Sequence, residues 1–178
     1  MSQLSQTEQE NREFLDQLKD RKPVVLNGNV YGEILIADTH GIYIALDVPG
    51  FDTTPGTGIQ LWPSNRGDNQ LWGLSPDSSD QGYYFIVNKH SGLVLDVPAG
   101  STDNNVQVMQ WRFQRNDSQK WAIYDSGKTI LSAKLYWIFN KQSRKLLDSR
   151  GGLPYRNGSA VIQATPDASR SQTWVIRQ

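Results

Sequence analysis

The sequence predicts an all-β domain of three repeats closed with pseudo-threefold symmetry, preceded by one amphipathic helix. Three observations carry this. An apolar stripe with the helical period occupies residues 1–22 and is stopped by Pro23. From Asn27 onward, short β-branched or aromatic runs alternate with clusters of Gly, Pro, Asn, Asp and Ser, the pattern of strands and turns. Within that part of the chain the same marks recur three times in the same order. The expected organisation is a helical extension over 1–26 and a domain over 27–178, with repeats near 28–76, 77–127 and 128–178.

The helix comes first. Ser5-Gln-Thr-Glu8 reads as a capping box, and Phe14, Leu15 and Leu18 share one face. Glu8, Glu10 and Glu13 lie early while Lys19, Arg21 and Lys22 lie late, both favourable to the helix dipole. About four turns are expected. Such a face ordinarily covers a core. The functional alternative is that residues 1–22 form a homodimer or attach the chain to a partner protein.

The repeats follow. The first reads Gly41-Ile-Tyr-Ile-Ala-Leu-Asp47, then Ile59-Gln-Leu-Trp62, then Asp68-Asn-Gln-Leu-Trp72. The second reads Ser91-Gly-Leu-Val-Leu-Asp96, Val106-Gln-Val-Met109 and Asp117-Ser-Gln-Lys-Trp121. The third reads Ser143-Arg-Lys-Leu-Leu-Asp148, Val161-Ile-Gln-Ala164 and Arg170-Ser-Gln-Thr-Trp174. The aspartate recurs after 49 and then 52 residues, and the final tryptophan after 49 and then 53. Three units are too few for a typical propeller, and an open solenoid needs capping ends. Closure into a barrel leaves no exposed edge. Typical strand and loop lengths give about four strands per unit, roughly twelve in all. A threefold fold brings Trp72, Trp121 and Trp174 together in the core, with the glutamines of Gln70-Leu-Trp72, Gln119-Lys-Trp121 and Gln172-Thr-Trp174 bonded to loop backbone.

These three Gln-x-Trp motifs, each preceded by a Leu-Asp or Val-Leu-Asp run and a Val/Ile-Gln or Ile-Gln-Leu-Trp run, resemble the signature of the ricin-B lectin family. The resemblance covers residues 28–178. It implies a β-trefoil, and carbohydrate as the ligand.

Sugar recognition needs acceptors for vicinal hydroxyls, an amide that both donates and accepts, and an aromatic face for the sugar's C–H side. Repeat one holds all of these in Asp47, Gln60, Trp62 and Asn69, with Gln60 and Trp62 lying 13 and 15 residues after Asp47. The order is similar to the first galactose site of the family. There the aspartate takes hydroxyls, the aromatic stacks and the asparagine completes the polar set, so the resemblance implies galactose- or N-acetylgalactosamine-type glycans. The structural alternative is an aspartate that caps a turn and a tryptophan of a satellite core.

A second candidate set is Asp96, Gln107 and Trp111. Alignment by sequence puts Met109 at the stacking position and gives a loop of 11 residues to Gln107, with Asn104 and Asn105 as compensating amides and Ser118 in the asparagine's place. The third set, Asp148 and Gln163, is weaker. Thr165 stands at the aromatic position, Ser171 replaces the asparagine, and Tyr155 is the only aromatic near it.

The composition excludes several other functions. Lys+Arg and Asp+Glu are both 18, so there is no field to draw in nucleic acid or an anionic membrane over distance. No apolar stretch reaches the length of a membrane span, and there is no cysteine for a disulfide or nucleophile. The start of the chain lacks the pattern of a signal peptide, so a cytoplasmic protein is expected, with leaderless secretion as the alternative. His40 and His90 read as exposed loop histidines, no carboxylates pair as acid and base, and no cofactor motif occurs, so an enzyme is not expected. The competing function is a protein-binding trefoil without a sugar site, a protease inhibitor or toxin-complex subunit acting through the loops 48–58 and 150–158.

Overall fold

A computed structural model describes residues 5–26, 30–37, 41–152 and 154–178. The side chain of Glu8, half of the expected capping box, and the whole of His40 lie outside what the structure describes. Among the described residues, one α-helix, α1 (Gln6–Lys19), precedes thirteen strands. Repeat one contributes β1 (Tyr31–Ala37), β2 (Tyr43–Asp47), β3 (Gln60–Pro63) and β4 (Leu71–Pro76). Repeat two contributes β5 (Tyr83–Asn88), β6 (Val94–Asp96), β7 (Val106–Gln107) and β8 (Met109–Trp111), and runs into β9 (Trp121–Ile130). Repeat three adds β10 (Ala133–Asn140), β11 (Leu146–Ser149), β12 (Val161–Ala164) and β13 (Val175–Arg177).

Two kinds of pairing build the fold. β1, β4, β5, β9 and β10 are joined in that order, β13 returns to pair with β1 through Leu35 and Val175, and a bridge between Tyr136 and Trp174 ties β10 to the residue just before β13. That closes a barrel, which removes the free edges an open sheet would expose. Three hairpin-like pairs, β2–β3, β6–β8 and β11–β12, cap one end. The caps meet on the pseudo-threefold axis. Ile59 N–H donates to Val108 O at 2.9 Å, Val108 N–H to Val161 O at 3.0 Å, and Val161 N–H back to Ile59 O at 3.0 Å.

The three tryptophans of the Gln-x-Trp motifs lie fully buried in one cluster with Leu46, Leu95 and Leu147. Each indole N–H donates to the carbonyl of the residue before the repeat's aspartate: Trp72 to Leu46, Trp121 to Leu95 and Trp174 to Leu147, at 2.9–3.0 Å. One ring therefore fills the core and fixes the strand that presents the aspartate.

The helix packs on the domain. Phe14 and Leu18 are buried with Tyr124, Trp137, Phe139 and Leu146, and Phe14 meets Trp137 edge to face at 4.9 Å. Past the helix, Arg21 donates to Asp125 O at 2.6 Å and Val24 N–H to Ile123 O at 2.7 Å. An ion cluster joins repeats two and three: the buried Asp77 meets Arg115 at 2.9 Å and Lys120 at 3.2 Å, and Lys141 reaches Asp80 and Asp117. Burial alone would raise the Asp77 carboxyl. Hydrogen bonds from Arg115, Ser79 and Lys120 outweigh it and hold the group well below the usual carboxylate range.

Candidate functional site

The candidate sites lie at the aspartates near the end of each cap strand, the last residue of β2 and β6 and the last but one of β11. In repeat one, β2 ends at Asp47 opposite Gln60 of β3, and Trp62 stands two residues further along β3, opposite Ala45. Residues two apart share one face of a strand, so Gln60 and Trp62 point the same way. The Asp47 carboxylate is held by three amides. Gln60 Nε2 donates to Oδ2 at 2.8 Å, and Asn69 Nδ2 and Gln70 Nε2 donate to Oδ1 at 2.8 and 3.0 Å. A carboxylate has about four acceptor positions. One is left, on Oδ2. Asn69 Oδ1 is a buried acceptor with no partner in the protein. Trp62, 41% exposed, is the flat apolar face beside this polar set. Burial raises the Asp47 carboxyl, while the hydrogen bonds from Gln60, Gln70 and Asn69 act against it.

Gln70 holds the turn, as its place in the motif implies: Nε2 donates to Pro63 O at 3.1 Å and Oε1 accepts from Asn65 N–H at 2.8 Å. It also orients the aspartate. Gln119 does the same for Asp96 at 2.9 Å and Gln172 for Asp148 at 3.1 Å. The threefold recurrence of Gln-x-Trp is the signal for this second task, because a residue fixed in all three turns is equally fixed relative to all three aspartates.

Strand pairing corrects the reading of repeat two. Ile59, Val108 and Val161 are the equivalent residues on the axis. Met109 therefore stands opposite Asp96 as Gln60 stands opposite Asp47, and Trp111 stands opposite Val94 as Trp62 stands opposite Ala45. The distance from aspartate to facing residue is 13 positions in both repeats, so neither loop is shortened or extended. Gln107 does not face Asp96; its Nε2 donates to Ile59 O at 3.0 Å. Asn104 and Asn105 also face repeat three: Asn104 Oδ1 accepts from Thr165 N–H, and Asn105 N–H donates to Gln163 O.

Repeat two nevertheless encloses a cleft of about 580 Å³ lined by Asp96, Gly100, Trp111, Asn116, Ser118 and Gln142, among others. Gln119 reaches Asp96 Oδ2, the Ser118 hydroxyl and Val97 amide act on the carboxylate more weakly, and no well-formed hydrogen bond reaches Oδ1. Burial raises this carboxyl too. Asn116, Gln114 and Gln142 carry no mark in the sequence that sets them apart as site residues. Gln142 belongs to the next repeat, which no spacing within repeat two reveals.

Repeat three lacks the arrangement. Ile162 faces Asp148 and Ala164, not Thr165, holds the register of Trp62. Asp148 is occupied by its neighbour's N–H, from Ser149 at 2.6 Å, and by Gln172. Gln163 is turned away and clamps the loop of repeat two, donating to Ser101 O and Asp103 O at 2.9 and 2.8 Å. Gln110 clamps repeat one's loop in the same way, on Asp52 O and Thr54 O. Gln107, Gln110 and Gln163 thus each join one repeat to another.

The comparisons agree with this architecture. A family model described as ricin-type β-trefoil lectin domain-like matches residues 28–111 and 68–164. Among solved structures, a designed 3-fold symmetric protein, ThreeFoil, is 31% identical with a TM-score of 0.73, covering 83% of this chain and 98% of that one. An exo-β-1,3-galactanase from Clostridium thermocellum is 23% identical with a TM-score of 0.71; 86% of this chain aligns with 31% of that enzyme. The Macrolepiota procera ricin B-like lectin in complex with lactose is 19% identical with a TM-score of 0.68, covering 87% and 99% of the two chains. The last two share the fold alone. No curated protein matches the sequence.

Proposed function

Because the chain belongs to the ricin-type β-trefoil lectin domain-like family, we propose that it is a carbohydrate-binding protein, not an enzyme, with binding sites in repeats one and two and none in repeat three. One observation carries the reading. Asp47 is pre-oriented by Gln60, Asn69 and Gln70 beside the half-exposed ring of Trp62, and repeat two repeats the essentials with Asp96, Gln119 and Trp111 around an open cleft. A sugar laid on the ring gives its hydroxyls to Asp47 Oδ2 and Asp96 Oδ1, acceptors the protein leaves unfilled. Amides already fixed on the carboxylate reduce the ordering cost of binding. The finer reading is that the glycans carry terminal galactose or N-acetylgalactosamine, supported in repeat one by the order Asp47, Gln60, Trp62, Asn69. Each shallow site alone is weak, near millimolar at about −4 kcal/mol, and two sites on one chain gain from multivalent glycans.

The test is a glycan array and calorimetry on wild type, Asp47→Ala, Asp96→Ala and the double variant, with circular dichroism as the control for folding. Each substitution removes an ionic acceptor and weakens its site about ten- to a hundredfold. The double variant is expected to lose binding while its spectrum is unchanged. Full binding by a folded double variant overturns the assignment.

A further inference from the structure

The first-repeat site has a wall that the second lacks. Threefold equivalence identifies it. The turns after the aspartates run Val48-Pro-Gly-Phe51 and Val97-Pro-Ala-Gly100, so Phe51 corresponds to Gly100. His90 and Gln142 each lie two residues after the asparagine that ends β5 or β10, so they correspond as well. In repeat two, Gly100 and Gln142 line the cleft. In repeat one the same two places hold aromatic rings, Phe51 and His90, packed edge to face at 5.1 Å and 89°.

Three further observations bear on the Phe51 ring. It is 48% exposed, so it does not serve the core. Its backbone lies in the left-handed region, φ 57°, where repeats two and three carry Gly100 and Gly152 at φ 62° and 63°. The turn itself therefore has no need of a phenyl ring. The ring tip also stands beside the polar set: a Cβ built on Gly67 would lie 3.0 Å from Phe51 Cζ and 2.7 Å from Asn69 Oδ1. Asn69 and Gln60 hold opposite oxygens of Asp47, and Trp62 follows Gln60. The polar set is thus bounded by Trp62 on the Gln60 side and by Phe51 on the Asn69 side.

We propose that the Phe51–His90 pair is a second aromatic platform that selects, at the first-repeat site, glycans of at least two sugar residues, the ring beyond the one held at Asp47 packing its C–H face on Phe51. This rests on the sugar-binding reading of Asp47. Gly100 and Gln142 present no such face, so the second site takes the terminal residue with little regard to the sugar linked to it.

The test compares lactose with galactose by calorimetry in the Asp96→Ala background, which isolates the first site, for the parent, Phe51→Gly and Phe51→Tyr. An aromatic contact of this kind is worth about a fivefold to tenfold gain. The lactose-to-galactose affinity ratio is expected to fall by that factor in Phe51→Gly and to hold in Phe51→Tyr. Thermal stability of Phe51→Gly should not fall, because glycine suits the turn; a purely structural ring would lower it. An unchanged ratio in Phe51→Gly, or a lowered melting temperature with the ratio intact, overturns the platform and leaves the Asp47 site standing. Absence of any glycan binding by wild type overturns the sugar-binding reading, and this inference with it.

Discussion

Asp47 and Asp96 are both placed where burial raises their carboxyls above the ordinary value of 3.8. A sugar hydroxyl donates to the ionised form, so binding declines as these groups protonate. Because their pKa is raised, that decline starts at a higher pH than for an exposed aspartate. Asp77 goes the other way: its lowered carboxyl stabilises the fold fully above 3.8 and loses that effect only as pH falls further. Glycan affinity should therefore drop on acidification before the fold does. Calorimetry and circular dichroism over one pH series check this; affinity that stays level until the protein unfolds contradicts it. At this scale the sequence is most informative in repeat one, where Asp47, Gln60 and Asn69 meet as their spacing implies. Phe51 gives no signal, since its meaning depends on Gly100 and on His90 of the next repeat.

Whether a side chain reaches a site is decided by strands. Aligning identical letters matches Gln60 with Gln107 and moves repeat two by two positions. The physical register is set by the hydrogen bonds of Ile59, Val108 and Val161 around the axis, and a shift of two keeps every side chain on its own face. The alternation of buried and exposed residues therefore cannot reveal the error. The shift also hides Trp111 behind Met109. The helix is easier to read, because an apolar stripe, late basic residues and Pro23 all agree, and α1 ends at Lys19. Its apolar face is spent on the domain, where Phe14 is 7% exposed against Trp137. Phe14→Ala should cost about 3 kcal/mol in denaturant unfolding through the cavity it leaves. A cost below about 0.5 kcal/mol, the range of surface substitutions, would mean that the helix does not rest there.

As a whole the molecule keeps threefold symmetry in its buried core and abandons it around the aspartates. The buried set, Trp72, Trp121 and Trp174 with their glutamines, is the same in every repeat. Around the aspartates the repeats diverge: Gln60, Met109 and Ile162 face them, and Trp62, Trp111 and Ala164 flank them. The fold is legible because symmetric packing repeats its residues. The surroundings of each aspartate are less so, because they depend on register and on contacts between repeats. The most direct test follows the indole N–H resonances of the chain's six tryptophans during titration with the best-bound glycan of the array. Trp62 and Trp111 are expected to shift, while Trp72, Trp121 and Trp174, bonded to core carbonyls, and Trp137 beneath the helix stay still. Binding that leaves both Trp62 and Trp111 unmoved contradicts the account.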